Sequence, residues 1–354
     1  MNNRRVIPRP VIAALAAALL FGAGTPLAKA LLADASPWLL AALLYLGSGL
    51  GLAIVRIATR AAPVRLPKGE AAWLAGAVVA GGVIGPVLLM LGLVAMPASS
   101  ASLLLNAEAV FTALIAWIVF RENVDARVFA GFLCIVAGAV VISWPGSVEW
   151  AGWQPALLVL GACLAWGVDN NLTRKVSLTD ASWIAMIKGL AAGATNLVLA
   201  LALGARLPSA STIAGAAIVG FASYGASLTL FVLALRGLGS ARTGAYFSVA
   251  PFFGAIVSVM WLGDPVTSSL LAAGALMAAG VALHLSERHE HAHSHIAMSH
   301  AHEHVHGEGD EHHAHAHAHE PAVAPGTRHS HAHDHAALVH NHAHYPDTHH
   351  RHEH

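Results

Sequence analysis

The stretch PASSASLLLNAEAVFTALIAWIVFRENV, Pro97 to Val124, decides the fold: it is an apolar segment of membrane length with one carboxylate, Glu108, near its middle. Shifted by 142 positions it recurs as GSARTGAYFSVAPFFGAIVSVMWLGDPV, Gly239 to Val266. In both copies small and polar residues open an apolar run that closes on an acid, Glu122 in the first and Asp264 in the second. Phe111 falls on Phe253, Ala113 on Ala255 and Val124 on Val266, so the two stretches share one register. A charge at membrane depth costs about 2.5 kcal/mol or more, so Glu108 requires a partner, a proton or a water-filled cavity. It is the first functional candidate.

The rest of the chain agrees with a membrane setting. Of 354 residues 56% are hydrophobic and only 11% charged, which excludes an ordinary soluble globular protein. The two cysteines, Cys134 and Cys163, sit in apolar runs without a CxxC or a disulfide framework and read as small core residues. All 25 histidines lie at or after His284, so the sequence divides into a membrane body and a tail.

A helix rises about 1.5 Å per residue, so runs of roughly 17 to 25 apolar residues can cross the ~30 Å hydrocarbon core. Ten such runs are present: 11–32, 37–55, 71–95, 98–120, 127–144, 154–173, 182–204, 211–235, 240–262 and 266–285. Arg4, Arg5 and Arg9 followed by an apolar run and Ala28-Lys29-Ala30 imitate a signal peptide. Keeping that first run as a helix gives the better charge balance. Alternate loops then hold thirteen Lys and Arg residues on one side and Arg206 alone on the other. Short basic loops stay in the cytoplasm, so both termini are expected there, as in a bacterial inner membrane protein.

Five helices per copy is an odd number, so the second copy enters the membrane inverted relative to the first. The expected organisation is an all-α polytopic membrane protein: a cytoplasmic N-terminus (1–10), a first five-helix repeat (11–144), an external linker (145–153), a second inverted repeat (154–285) and a tail (286–354). Inverted repeats are how many secondary transporters build two related states around a central site.

Four ionisable residues lie well inside apolar runs: Lys29, Glu108, Asp169 and Lys188. Two acids and two bases can pair across the bundle as a purely structural set, or line a path for substrate or coupling ion together with Asn106 and Asn170. Asp169-Asn170-Asn171 interrupts the sixth run; successive side chains on a helix lie about 100° apart, so at most two of the three can address one cavity. The plainer alternative places these residues at a helix end, followed by snorkelling Arg174 and Lys175. Gly47 with Gly51, Gly81-Gly82 with Gly85, and Gly189 with Gly193 are spaced for close helix approach, and a homodimer stays open.

These residues resemble the drug/metabolite transporter superfamily, in particular its ten-helix branch with two EamA-type domains. In the fourth helix the family favours Glu-Pro, an apolar run and Gly-Glu; here the first copy has Glu108 with Ala109, and the second has Ala250 with Pro251. Trp166-Gly167 followed by Arg174, and more weakly Phe21-Gly22 followed by Lys29, match the family's Trp-Gly near the start of each domain. The resemblance implies secondary transport, often export, of small metabolites or drug-like solutes, without naming one. Because Ala109 replaces the proline, a broken fourth helix is expected in the second half more than in the first.

From His289 onward 24 of 66 residues are histidine, a composition that cannot build a packed core and predicts a disordered tail. His289, His291, His293, His295, His300, His302, His304, His306, His312, His313, His315, His317, His319, His329, His331, His333 and His335 are candidate ligands for Zn²⁺, Ni²⁺, Co²⁺ or Cu²⁺ at several loosely defined sites. The alternative is a pH-responsive tail that gains charge below about pH 6.5. His289 to His293 and His302 to His306 satisfy HExxH, but that motif needs a stable helix beside a cleft, and it arises by chance in so biased a segment. The body carries no nucleophile elbow or phosphate loop, so neither an enzyme, a required cofactor nor a nucleic-acid partner is expected. Three functions follow: a metabolite exporter whose tail buffers or senses metal, a transporter of Ni²⁺, Co²⁺ or Zn²⁺ fed by the tail, and a membrane-anchored metal store or sensor.

Overall fold

The computed structural model describes residues 9–64, 66–67, 69–120, 126–144, 150–176, 179–285, 290–295, 298–305, 328–335 and 338–343. Glu122, most of the 145–153 linker, and His289, His306, His312, His313, His315, His317 and His319 lie outside them. The chain divides into a helical body, residues 1–287, and a tail, residues 288–354.

The body is an all-α polytopic membrane protein. Its helices are α1 (Arg9–Leu31), α2 (Pro37–Ala58), α3 (Ala71–Ala95), α4 (Ala98–Leu104), α5 (Ala107–Phe120), α6 (Ala126–Ser143), α7 (Trp150–Arg174) and α8 (Ala181–Ala202). They continue with α9 (Ala210–Gly220, Phe221–Ala226 and Ser227–Phe247 end to end), α10 (Ala250–Leu262) and α11 (Ser268–Leu285). Among the described residues seven spans are long and apolar enough to cross a membrane, and shorter apolar helices cover Phe129–Ser143, Ala250–Leu262 and Ser268–Leu283. The outward surface is apolar: Met260, Ile57, Ile118 and Ile218 are 68–82% exposed. Such a belt is stable against lipid and costly against water.

Packing runs mainly between the two halves. Helix α2 lies along α8, α6 along α11, α1 against α9 and α10, and α7 against α3 and α5. Exchanging the halves maps α1 on α10 onto α7 on α5, and α1 on α9 onto α7 on α3. The α2–α8 contact is close because glycines face each other: a Cβ on Gly189 would meet Gly49 Cα at 2.8 Å, and one on Gly193 would meet the Leu46 amide at 2.7 Å. These small residues therefore serve helix approach inside the body.

Both halves contain the same two irregularities. The first is a π-helical segment, Val78–Ile84 in α3 and Phe221–Ala226 in α9, with amides reaching five residues back (Gly85 to Ala80, Ser227 to Ala222). The second is a break, at Leu105–Asn106 between α4 and α5 and at Ser248–Val249 between α9 and α10. Two expectations are corrected here. The first half is broken although it lacks the proline, because Asn106 Nδ2 donates to Leu103 O at 2.9 Å and replaces a helical amide. In the second half the break lies at 248–249 and not at the glycines of 236–239, because Pro251, in the first turn of α10, has no N–H and disfavours helix before it. The helices after the breaks open at Ala107 and Ala250, so Pro251 takes the place of Glu108, one residue off the sequence register.

In the tail, β1 (Glu290–His295) pairs antiparallel with β4 (Leu338–Ala343), and β2 (Met298–Val305) with β3 (Arg328–His335). The composition predicts chain without a packed core; a two-stranded ribbon has none either, and alone is only marginally stable in water.

Candidate functional site

Helix α7 carries the polar run Asp169-Asn170-Asn171, and its 100° steps send the three side chains to different neighbours. Asp169 turns to α8, where Lys188 Nζ lies 2.5 Å from Oδ1 and 2.6 Å from Oδ2. Thr173, one turn along, donates to Asp169 Oδ1 at 2.8 Å and accepts from Lys188 at 3.3 Å. Asn170 turns to α5, where its Nδ2 donates to Glu108 Oε1 at 2.9 Å and to Thr112 Oγ1 at 3.1 Å. Asn171 donates to the carbonyls of Thr112 and Gly167.

Thus one of the two acid–base pairings open from sequence is made. Asp169 and Lys188 neutralise each other, with side chains 8% and 18% exposed. Glu108 is met by an amide instead of a base. Lys29 stands elsewhere: its Nζ donates to Leu93 O and to Val94 O, carbonyls ending α3, where the helix dipole is negative. Asn106 caps α4 and sits near Met277, apart from the Glu108 network.

The π segment of α3 builds the wall behind Asp169. Its irregular bonding frees carbonyls for side-chain donors: Gly81 O accepts from Tyr45 at 2.7 Å and from Trp166 Nε1 at 2.9 Å, and Gly82 O accepts from Asn196 at 3.0 Å. A Cβ at Gly81 would fall 1.9 Å from Asp169 Oδ2, so only glycine lets that carboxylate reach Lys188 here.

Against this network lies a cavity of about 360 Å³. Tyr45 and Ser48 of α2, Asn170 and Thr173 of α7, Ile184, Lys188 and Gly189 of α8, and Tyr224 and Leu228 of α9 line it. Thr179, from the α7–α8 connection, and Ala181, which opens α8, complete the wall. The rings of Tyr45 and Tyr224 sit 5.6 Å apart, and Phe21 lies edge-on to Tyr224 at 6.0 Å. Hydroxyls, one amide, one internally neutralised ammonium and two aromatic faces make a lining suited to a small, overall neutral solute with polar and apolar parts. Tyr45, Tyr224, Thr112 and Thr173 were not legible as site residues; the available signal was that both tyrosines fall mid-span, away from the interfacial positions where they usually anchor.

Away from this cavity, a further contact joins the two halves. Asp264, following α10, accepts from the Ser99 amide in the first turn of α4 at 2.8 Å. An anion at a helix N-terminus is favourable, and α4 packs on α10 beneath it.

On the membrane-entry face of α8, outside the span, Asp180 caps the helix by accepting from the Trp183 amide at 2.8 Å, and binds Arg56 at 2.7 Å. Partial burial works to raise its carboxyl, but the Ser182 hydroxyl, the Trp183 amide and Arg56 outweigh it and hold it below the ordinary range.

Among curated proteins the chain is similar to an uncharacterized transporter of Methanothermobacter thermautotrophicus, 27% identical over 76% of this chain and 84% of that one. It is likewise similar to the uncharacterized transporter YvbV of Bacillus subtilis, 27% identical over 75% of this chain and 88% of that one. A probable terminal-alkyne amino-acid exporter of Streptantibioticus cattleyicolor is 28% identical over 56% of this chain and 67% of its own. One crystal structure shares the fold, with a TM-score of 0.60 at 18% identity, covering 78% of this chain and 95% of that one. The EamA-like transporter family model matches twice, at residues 8–144 and 153–286, spans that hold every described residue lining the cavity: the chain belongs to the EamA-like transporter family.

Proposed function

We propose that the protein is a secondary active exporter of a small, amino-acid-sized solute, working by alternating access between two inverted five-helix repeats. The cavity beside Asp169–Lys188 and Asn170–Glu108 is its binding chamber. The observation that carries this reading is the coincidence of that chamber with the only intramembrane ion pair seen among the described residues. The paired π segments and paired helix breaks support the repeat, and the charge distribution of the loops supports cytoplasmic termini. In that orientation the chamber wall at Thr179 and Ala181 is cytoplasmic, and the Asp264–Ser99 tie is the external seal. The relative named as an amino-acid exporter favours both the direction and the solute class.

A divalent metal is the weaker substrate. The chamber's described lining offers no Cys, His, Asp or Glu to bind it, and the one ammonium there is already paired with Asp169. The tail then serves to buffer or sense metal.

The test compares cells lacking the protein with cells carrying the full chain or residues 1–287 alone. Profiling of the medium should show the same solute released by both forms, with the tail affecting metal tolerance only. Metal sensitivity of the deletion strain, rescued by either form without any change in released solutes, would replace this reading with metal transport.

A further inference from the structure

Most polar groups around the chamber are already spent on one another. The three protons of the Lys188 ammonium go to Asp169 Oδ1, Asp169 Oδ2 and Thr173 Oγ1. The Thr173 hydroxyl donates to Asp169 Oδ1, and the Tyr45 hydroxyl to Gly81 O. The Asn170 amide protons go to Glu108 and Thr112. Left over, among the described residues, are the hydroxyls of Ser48, Thr179 and Tyr224 and the amide oxygen Asn170 Oδ1. Ser48 is only 3% exposed and lines the chamber, so the chamber is what its hydroxyl can address. This free set carries no charge: Glu108 stands behind the Asn170 amide and does not line the chamber.

We propose that the chamber selects solutes of zero net charge, and that Ser48 and Tyr224 are its specificity-determining residues, holding a neutral group that both donates and accepts, such as a hydroxyl or a carboxamide. This rests on the cavity being the exporter's binding chamber and narrows its solute class. A hydroxyl offers one proton and two lone pairs, whereas Asn170 Oδ1 only accepts. A solute hydroxyl or carboxamide satisfies both kinds at once, with its apolar part against the Tyr45 and Tyr224 rings. A carboxylate has no proton for Asn170 Oδ1, and neither a carboxylate nor an ammonium meets an unspent opposite charge, so taking it out of water goes uncompensated. Asp169 thus acts as a neutraliser, cancelling the charge that Lys188 would otherwise present to the solute. An analogue lacking the hydrogen-bonding group leaves the free hydroxyls unpaired, which makes the discrimination steep.

The experiment reads the chamber with thiol reagents and needs no identified solute. Ala185→Cys, on the α8 wall, is placed in a full chain freed of Cys134 and Cys163 and purified in detergent. Three methanethiosulfonate reagents of similar size, with an uncharged, an ammonium or a sulfonate tail, are applied, each rate divided by that on a small thiol in solution. The uncharged reagent should react at least tenfold faster than either charged one. Asp169→Asn, which uncovers the Lys188 ammonium, should then raise the sulfonate rate at least tenfold relative to the ammonium rate. Equal rates for all three reagents on the parent thiol, or an unchanged ratio in folded Asp169→Asn protein, would overturn the proposal. In cells, Ser48→Ala and Tyr224→Phe should each lower release of the parental solute at least fivefold at equal protein level, and Thr195→Ala, a hydroxyl of α8 outside the chamber, should not. Release of a net-charged solute, or parental release by both chamber variants, would sink this inference and leave the export reading standing; charge-selective thiol rates with no solute released by the parent would sink the export reading and uphold the selectivity.

Discussion

Breaking the Asp169–Lys188 pair on one side should unfold more of the protein than removing it altogether. At 2.5 and 2.6 Å the two charges attract by about 6 kcal/mol at an effective dielectric constant near 20, offset largely by the cost of taking both out of water. Lys188→Met leaves Asp169 8% exposed with only the Thr173 hydroxyl, and Asp169→Asn leaves the ammonium opposite a neutral amide. Stranding one buried charge costs about 3–5 kcal/mol, whereas a neutral pair of similar volume is close to isoenergetic with the ion pair. For a body of this size that is a drop in Tm on the order of 6–10 °C for each single variant. The double variant should return most of the way. Thermal unfolding of the purified protein, followed by tryptophan fluorescence in one detergent and at one scan rate, measures it. Single variants as stable as the parent, or a double variant no more stable than the worse single, would refute the argument that the pair is buried and mutually neutralising.

Three further outcomes follow from named contacts. Gly81→Ala should push Asp169 off Lys188, since the new Cβ has only 1.9 Å to the carboxylate oxygen, and cost about 1–3 kcal/mol in the same melt. Asp180→Ala should cost about 1 kcal/mol at neutral pH through the lost cap. Because the folded-state carboxyl is held low, its contribution is complete above the ordinary Asp range of about 3.9 and fades as pH falls through the lowered value, so parent and variant should converge in acid. Asp264→Ala removes a charge-assisted bond worth about 1.5–3 kcal/mol from the external seal. Ser102→Cys, at a position 1% exposed, in a chain freed of Cys134 and Cys163, should then react with an external thiol reagent at least tenfold faster than in the parent; an unchanged rate would leave Asp264 without a role in the seal.

Much of the body was legible because the bilayer imposes it. Apolar runs of membrane length could be only helices, and an acid in the middle of one had to find a partner. Glu108, Asp169, Asn170 and Lys188 came out of that argument; Asn170 and Lys188 line the cavity, and hydrogen bonds tie Glu108 to the one and Asp169 to the other. Asn106 does not join them: its amide is spent on Leu103 O, a backbone need that spacing along the chain does not reveal. Nor did the sequence show the π segments, since an i→i+5 bond leaves the apolar pattern unchanged. Gly81 and Gly82 looked like packing residues, and they are also the carbonyls that hold Tyr45, Trp166 and Asn196. The break before α5 was missed for a related reason: proline announces a break, whereas a side-chain cap by asparagine shows only once the helix end is in view.

The central claim is that solute crosses through the chamber beside Glu108. Glu108→Gln keeps an oxygen for the Asn170 amide and removes only the charge and its proton. The decisive measurement is flux of an identified solute in proteoliposomes, with solute binding measured on the same preparations. The account predicts that the variant folds and binds but transports at less than about a hundredth of the parental rate, equivalent to roughly 2.7 kcal/mol on the barrier. Parental flux through Glu108→Gln would contradict it.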